Sequence, residues 1–213
     1  MKYHKLVENA KKPNGFWGKM MIKAMNKGHS SLTSWGLEHM NIERTATVLD
    51  IGCGGKTVDR LCSIVANGKV YGIDYSELSV KSSQKLNSKN ILCNKAKILQ
   101  ASVSDMPFDD NTFDNITAVE TYYFWPDKEN DVKEVFRVLK QGGTVMLLFE
   151  MLRTDDDPFK WEKVENMLNI KSVTPQEIRA VLESAGFENI NTYTKEGTTW
   201  LCATAQKPKG DEN

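Results

Sequence analysis

The stretch Thr47-Val48-Leu49-Asp50-Ile51-Gly52-Cys53-Gly54-Gly55-Lys56-Thr57 constrains this chain more than any other. A short apolar run, closed by glycines and followed by an apolar-periodic segment, predicts a buried strand turning into a helix. Small residues at such a turn let backbone amides approach a ligand closely, and the helix start beyond them favours negative charge. Many folds hold a nucleotide-like ligand this way, so the rest of the chain has to decide which ligand.

From Thr47 onward strands and helices alternate. Strands are expected at 48–51, 69–74, 96–101, 115–119 and 144–149. Helices are expected at 57–66, at 76–88 with Ser76 as N-cap, and at 127–140, stopped by Gly142-Gly143. The unbroken apolar run Thr144–Phe149 suggests a strand buried on both faces, and the alternation as a whole argues for a parallel sheet covered by helices. After the turn Asp155-Asp156-Asp157-Pro158 a helix is expected at 159–169. Thr174-Pro175-Gln176-Glu177 then forms a capping box for a helix ending at Gly186. Strands at 187–194 and 198–205, joined by Lys195-Glu196-Gly197, close the domain, and residues 207–213 read as a frayed tail.

Residues 1–45 precede the first strand. Phe16, Trp17, Met20, Met21, Ala24 and Met25 recur at helical spacing, and a second helical stretch carries Leu32, Trp35, Leu37, Met40 and Ile42. This segment reads as a cap packed on the domain of residues 46–206, or as a lid placing His29 or Trp35 against a ligand.

Lys plus Arg balances Asp plus Glu at 28 each, so no global field gathers nucleic acid or an anionic membrane. The cysteines Cys53, Cys62, Cys93 and Cys202 lack metal-binding spacing, which suits reduced thiols in a cytoplasmic protein without a metal site. No apolar run approaches the ~20 residues that cross a bilayer.

In open parallel sheets ligands sit beyond the carboxyl ends of the strands. Those ends supply Asp50 and the glycine turn, then Asp74, where a carboxylate can accept two ribose hydroxyls, then Ser104-Asp105-Met106, then Glu120. Acidic groups for ribose and for an exocyclic amine, with no arginine for a phosphate, suit an adenosine without a phosphate chain. A dinucleotide fingerprint would need glycine at Thr57, and a P-loop would need glycine at Asp50.

These residues resemble the class I S-adenosylmethionine-dependent methyltransferases. The resemblance is carried by Val48–Gly55, Val70–Ser76, Ser104–Asp114, Val135–Gly143 and Thr174–Ile190, and spans about residues 46–205. It implies an α/β, Rossmann-like seven-stranded sheet, mostly parallel with an antiparallel last strand and helices on both faces. It also implies S-adenosylmethionine as cofactor, with S-adenosylhomocysteine as product. The Gly52-Cys53-Gly54 turn would then hold the methionine part, Asp74 the ribose hydroxyls, and Asp105 the adenine amino group with the Met106 backbone beside it, while Asp50, Tyr75 and Ser104 would complete the cofactor site. Glu120 would face the methionine moiety or the substrate. The family's third turn glycine would fall at Lys56, a departure that bears on cofactor binding.

Tyr122, Tyr123 and Trp125 belong to an aromatic run that reads as an acceptor wall or as core packing, and His29 and Tyr122 are base candidates. The favoured reading is transfer to a small-molecule acceptor. A protein or RNA methyltransferase, or a cofactor-binding protein without transferase activity, is the alternative. The sequence fixes neither the acceptor nor the oligomeric state.

Overall fold

The strand expected at 48–51 forms as β1 (Thr47–Ile51), its last four residues buried, in a computed structural model that describes residues 30–210. The expected helix around Phe16–Met25 and the candidate His29 lie outside the described residues. The sheet continues with β2 (Lys69–Asp74), β3 (Ala96–Gln100), β4 (Phe113–Val119), β5 (Leu139–Phe149), β6 (Glu188–Thr194) and β7 (Leu201–Gln206). The spatial order is β3-β2-β1-β4-β5-β7-β6. β1 pairs in parallel with both β2 and β4, β2 with β3, and β4 with β5, whereas β7 runs antiparallel to β5 and β6. The expected antiparallel last strand is therefore present.

Helices cover both faces: α1 (Ser30–Leu37), α2 (Thr57–Ile64), α3 (Glu77–Leu86), α4 (Ser88–Leu92), α5 (Lys128–Val138), α6 (Glu162–Leu168) and α7 (Pro175–Ser184). Alternate strand residues point to opposite faces. Leu49, Ile116, Leu147 and Phe149 accordingly pack with Val132, Val135, Ile178 and Leu182 of α5 and α7. Val48, Val70 and Ile98 instead meet Val58, Leu61 and Val80 of α2 and α3, and Met146 and Leu148 meet Leu32 of α1. Burial on both faces is why the central strands read as unbroken apolar runs. The Ser76 hydroxyl accepts the Ser79 N–H at 3.3 Å, and Thr174 and Glu177 complete their reciprocal cap.

Two expectations change. Gly142-Gly143 does not stop the helix, because α5 ends at Val138 and β5 already begins at the fully buried Leu139. The glycines lie inside β5 where its register with β4 shifts, Phe113 pairing Leu139 and Asn115 pairing Thr144. Lys207 is not frayed either. Its N–H donates to the Gly143 carbonyl at 2.9 Å, and its ammonium donates to the Phe136 and Leu139 carbonyls at 2.7 and 2.8 Å and to Asn111 Oδ1 at 2.9 Å.

That ammonium satisfies carbonyls left open at the C-terminus of α5 and matches the sign of the helix dipole there. Lys207→Met should cost about 2 kcal/mol, the scale of a charged hydrogen-bond set. In thermal denaturation the midpoint should fall by about 4–8 °C.

The cysteines are free, with Cys53, Cys62 and Cys202 buried. Among the described residues no helix is long and apolar enough to cross a membrane, and no His, Cys, Asp and Glu group could hold a metal ion.

Candidate functional site

β1 has β2 on one side and β4 on the other, so the chain crosses over in opposite directions from it and leaves a crevice at its carboxyl end. The turn that fills this crevice is stitched to β2, with the Gly52 and Cys53 N–H groups both donating to the Ile73 carbonyl at 2.8 and 3.0 Å. Gly52 takes φ +80, and a Cβ there would stand 2.1 Å from Thr121 Cγ2. Only glycine satisfies both conditions. Lys56, at the position of the family's third glycine, has φ −89 and ψ 1. No left-handed backbone is required there, so the turn accepts a side chain.

Beside the turn opens a cavity of about 350 Å³. Gly52, Gly54, Gly55 and Lys56 form one wall, and Ile73, Asp74, Tyr75 and Ser79 extend it from β2 into α3. Ala101, Ser102 and Val103 follow β3. Glu120, Thr121, Phe124, Trp125 and Pro126 follow β4, and Ser30, Thr33 and Arg60 come from α1 and α2.

Asp74 Oδ1 accepts the Ser76 N–H at 2.8 Å. Burial pushes its carboxyl up to about 6, against the lowering effect of hydrogen bonds from Ser76, Ser79 and Gly54. A Cβ on Gly54 would lie 3.1 Å from Ser79 Cβ and 3.4 Å from Asp74 Oδ2, so this glycine keeps space beside the carboxylate.

Gly52, Gly54, Asp74, Tyr75, Glu120 and Trp125 of the sequence-derived set thus meet on one cavity. The others within the described residues are not on its wall. Asp50 is buried beneath the turn, where the Thr117 hydroxyl donates to its Oδ1 at 2.7 Å. Burial pushes it up to about 7, opposed by that bond and reinforced by the charge of Asp74. Cys53 is fully buried, and burial raises its thiol well above the usual range. A Cβ on Gly72 would come within 2.9 Å of its Sγ, so the thiol fills a packing space.

Ser104 and Asp105 are exposed and Met106 is buried, and none of the three is on the cavity wall. The reason is local: the chain turns at once after β3, with the Asp105 N–H reaching back to the Ser102 carbonyl at 3.4 Å. Ser102 and Val103 therefore occupy the wall that Asp105 was expected to reach. Tyr122 and Tyr123 lie in the core around Phe149, with ring centroids 5.6 and 5.5 Å from it, and Phe124 and Trp125 are the aromatic residues that line the cavity from this run. An arginine does reach the cavity. Arg60 donates to the Ser30 carbonyl at 3.0 Å and to Ser34 Oγ at 2.6 Å, fastening α1 to α2. Arg60 faces the turn one helical turn beyond Lys56, a spacing legible in the sequence.

Comparison with known proteins agrees with this geometry. A family model described as a methyltransferase domain matches residues 49–147. An uncharacterized methyltransferase of Bacillus subtilis is 27% identical over 183 residues, covering 84% of this chain and 93% of that protein. A ubiquinone/menaquinone biosynthesis C-methyltransferase of Cronobacter sakazakii is 30% identical over 181 residues, covering 73% of this chain and 72% of its own length. Among solved structures, a SAM-dependent methyltransferase from Aquifex aeolicus superimposes with a TM-score of 0.67 at 21% identity, over 86% of this chain and 95% of that one. S-adenosylmethionine suits the residues present, because Gly54 keeps space open beside the half-buried Asp74 carboxylate, which can take ribose hydroxyls. With this domain and these relatives, the chain belongs to the class I S-adenosylmethionine-dependent methyltransferases, and S-adenosylmethionine is its cofactor.

Proposed function

We propose that the methyl group passes to a small-molecule acceptor by in-line displacement inside this cavity. The observation that carries the reading is the cavity itself: a volume of about 350 Å³ lined by the strand ends and by Ser30 and Thr33 of α1, with Asp74 at the end of β2 and Phe124, Trp125 and Pro126 beyond the end of β4. A space of that size and lining suits a nucleoside-sized cofactor with a compact, apolar or planar acceptor beside it. The Cronobacter relative is named for C-methylation in ubiquinone and menaquinone biosynthesis, which supports an acceptor of the apolar ring class.

When bound, the cofactor supplies a methyl group already activated on a sulfonium. In this reading the chain's residues hold and align. Asp74 accepts the ribose hydroxyls beside Tyr75, the Gly52–Gly54 turn borders the methionine part above Asp50, and Ser102 and Val103 flank the adenine. Residues 1–45 act as a cap over the domain of residues 46–206, with Ser30 and Thr33 of α1 on the cavity wall. The task left to the protein is to bring donor and acceptor to about 3–3.5 Å and to exclude water. Burial pushes the Tyr122 hydroxyl up to about 12, which argues against it as a base at neutral pH.

The test is transfer of a labelled methyl group from S-adenosylmethionine in the presence of hydroquinones, phenols, sterols and amines, with bulk protein and RNA alongside. Label should enter a small organic molecule. Label confined to protein or RNA would replace this reading with the macromolecular one.

A further inference from the structure

The chain carries no net charge, yet its surface charge is sorted in space. Between Glu77 and Asp105, the stretch that builds α3, α4 and β3, stand five lysines and no acidic residue. Lys81 is paired with Glu77, and Lys95 donates to the Ala66 carbonyl at 3.3 Å. Lys85, Lys89 and Lys97 are exposed and make no ion pair among the described residues. From Asp155 to Glu165 the balance reverses, with five carboxylates against two lysines. Asp155, Asp156, Asp157 and Glu162 are exposed there and make no ion pair among the described residues either.

Exposed apolar side chains follow the same division. Apart from Tyr75 on the cavity wall, the large ones among the described residues are Ile64, Leu86, Leu92 and Phe159. Ile64, Leu86 and Leu92 end α2, α3 and α4, and these helix ends meet. The Asn90 amide of α4 donates to Asp59 of α2 at 3.2 Å, and Lys95 reaches the Ala66 carbonyl just beyond α2. Leu92 is 87% exposed among the lysines, and Phe159 is 72% exposed two residues after Asp157. A single exposed leucine is ordinary, but a basic patch and an acidic patch that each carry an open apolar anchor are complementary surfaces.

Topology keeps the two patches apart. The strands β3-β2-β1-β4-β5 all run in one direction. Lys89 and Leu92 precede β3 and so lie at the amino ends of these strands. Asp155–Phe159 follow β5, and the Trp161 indole N–H donates to the Leu152 carbonyl at 3.1 Å, which holds their segment at the carboxyl end. The patches therefore cannot meet within one molecule, and they can meet between two. An anionic bilayer or an acidic protein would engage the lysines alone and leave Phe159 and its carboxylates without a role, whereas a second copy of this chain uses both.

We propose that the two patches are the halves of one heterologous interface, through which copies of this chain associate head to tail, Leu92 of one copy against Phe159 of the next within a rim of opposed charges. Such an interface closes into a ring or extends as an open chain, and its exposed rim makes it sensitive to salt.

Sedimentation velocity of the full chain tests it. At about 0.05 M salt the average mass should climb as protein rises from about 5 to about 200 µM, and about 0.5 M salt should weaken the association about 10-fold or more. Lys85→Glu with Lys89→Glu breaks the basic patch, and Asp155→Lys with Asp157→Lys breaks the acidic one. Each double variant should be monomeric, with the thermal midpoint and S-adenosylhomocysteine affinity of the wild type. Mixed in equal amounts, the two should form a dimer and nothing larger, because each retains the half that the other has lost. Leu92→Ser and Phe159→Ser, mixed in the same way, repeat the test without charge reversal.

A wild-type chain that stays monomeric over that range at low salt overturns the proposal. Association that the double variants leave intact, or a mixture of them that stays monomeric, overturns it equally. If the wild type is monomeric and instead binds anionic vesicles or polyglutamate, with loss of binding in Lys85→Glu/Lys89→Glu, the basic patch belongs to a lipid surface or an acidic protein and the head-to-tail interface is wrong.

Discussion

Asp74→Asn should weaken S-adenosylmethionine and S-adenosylhomocysteine by about 100-fold at pH 8 while leaving the protein folded. Two hydroxyl hydrogen bonds to an ionised carboxylate are each worth about 1.5–3 kcal/mol, and each 1.4 kcal/mol is tenfold in affinity. The asparagine oxygen can still accept the Ser76 N–H that Asp74 Oδ1 takes at 2.8 Å, so the start of α3 keeps its support. The charge also costs the empty fold something. Burial raises the Asp74 carboxyl from 3.8 to about 6, so ionised Asp74 disfavours the folded state as pH rises through that interval. Removing the charge should leave the thermal midpoint at pH 8 unchanged or higher.

The same shift sets a pH dependence for the wild-type protein. Below about 6 the carboxyl is protonated in the folded protein and must lose its proton to accept both hydroxyls. Affinity should fall toward tenfold per pH unit as the pH drops below that point, and the asparagine variant should be nearly flat from pH 5 to 8. Calorimetry across that range reads both slopes. A wild-type profile as flat as the variant's would show that Asp74 does not carry the recognition.

Much of this site is legible in the sequence because it lies at strand ends that burial makes conspicuous. β1 and β2 are apolar runs that end in Ile51-Gly52 and Ile73-Asp74, and the turn and the carboxylate follow directly from counting to those ends. Counting would also have found Ser102 and Val103, just past the end of β3 at Gln100. The segment Ser104–Asp114 drew attention as a motif, and the structure gives part of it a different task. The Met106 N–H donates to Glu134 at 2.9 Å, while Arg137 donates to the Phe108 carbonyl at 2.8 Å and to Asp110 at 2.7 Å. These contacts clip the loop onto α5, and the Arg137 end of that clip lies within the other matched segment, Val135–Gly143.

The aromatic run divides between core and cavity for another reason. Tyr122–Phe124 forms a single 3₁₀ turn, so neighbouring rings leave it in different directions, and local sequence cannot say which of them faces the core. Lys207 was unreadable on similar grounds: its partners Asn111, Phe136 and Leu139 are distant in sequence and carry no periodic signal.

The glycine turn gives the second large effect, through its geometry rather than its charge. Gly52→Ala should destabilise the protein by about 3 kcal/mol, combining a left-handed backbone penalty of about 1–2 kcal/mol with an overpacking cost of about 1–3 kcal/mol. The midpoint should fall by about 6–12 °C, and cofactor binding should be lost with the turn. The two causes can be separated. The new methyl would meet Thr121 Cγ2 at 2.1 Å and Thr121 Cβ at 2.8 Å, so Thr121→Ala on the Gly52→Ala background removes the closer contact and leaves the other. About 1 kcal/mol should return, and the remainder reports the φ of +80 together with the residual contact. Gly54→Ala is the control. A Cβ there meets Ser79 at 3.1 Å, a tight but yielding contact, and stands 3.4 Å from Asp74 Oδ2 on the cavity wall. Its midpoint should move by no more than about 2–4 °C, the shift for about 1 kcal/mol, while cofactor affinity should fall because the methyl takes space beside the carboxylate proposed to receive the ribose. One glycine then fails in stability and its neighbour but one in affinity. Matching losses of stability at both positions would mean that Gly54, like Gly52, is required by the turn itself and not by the ligand.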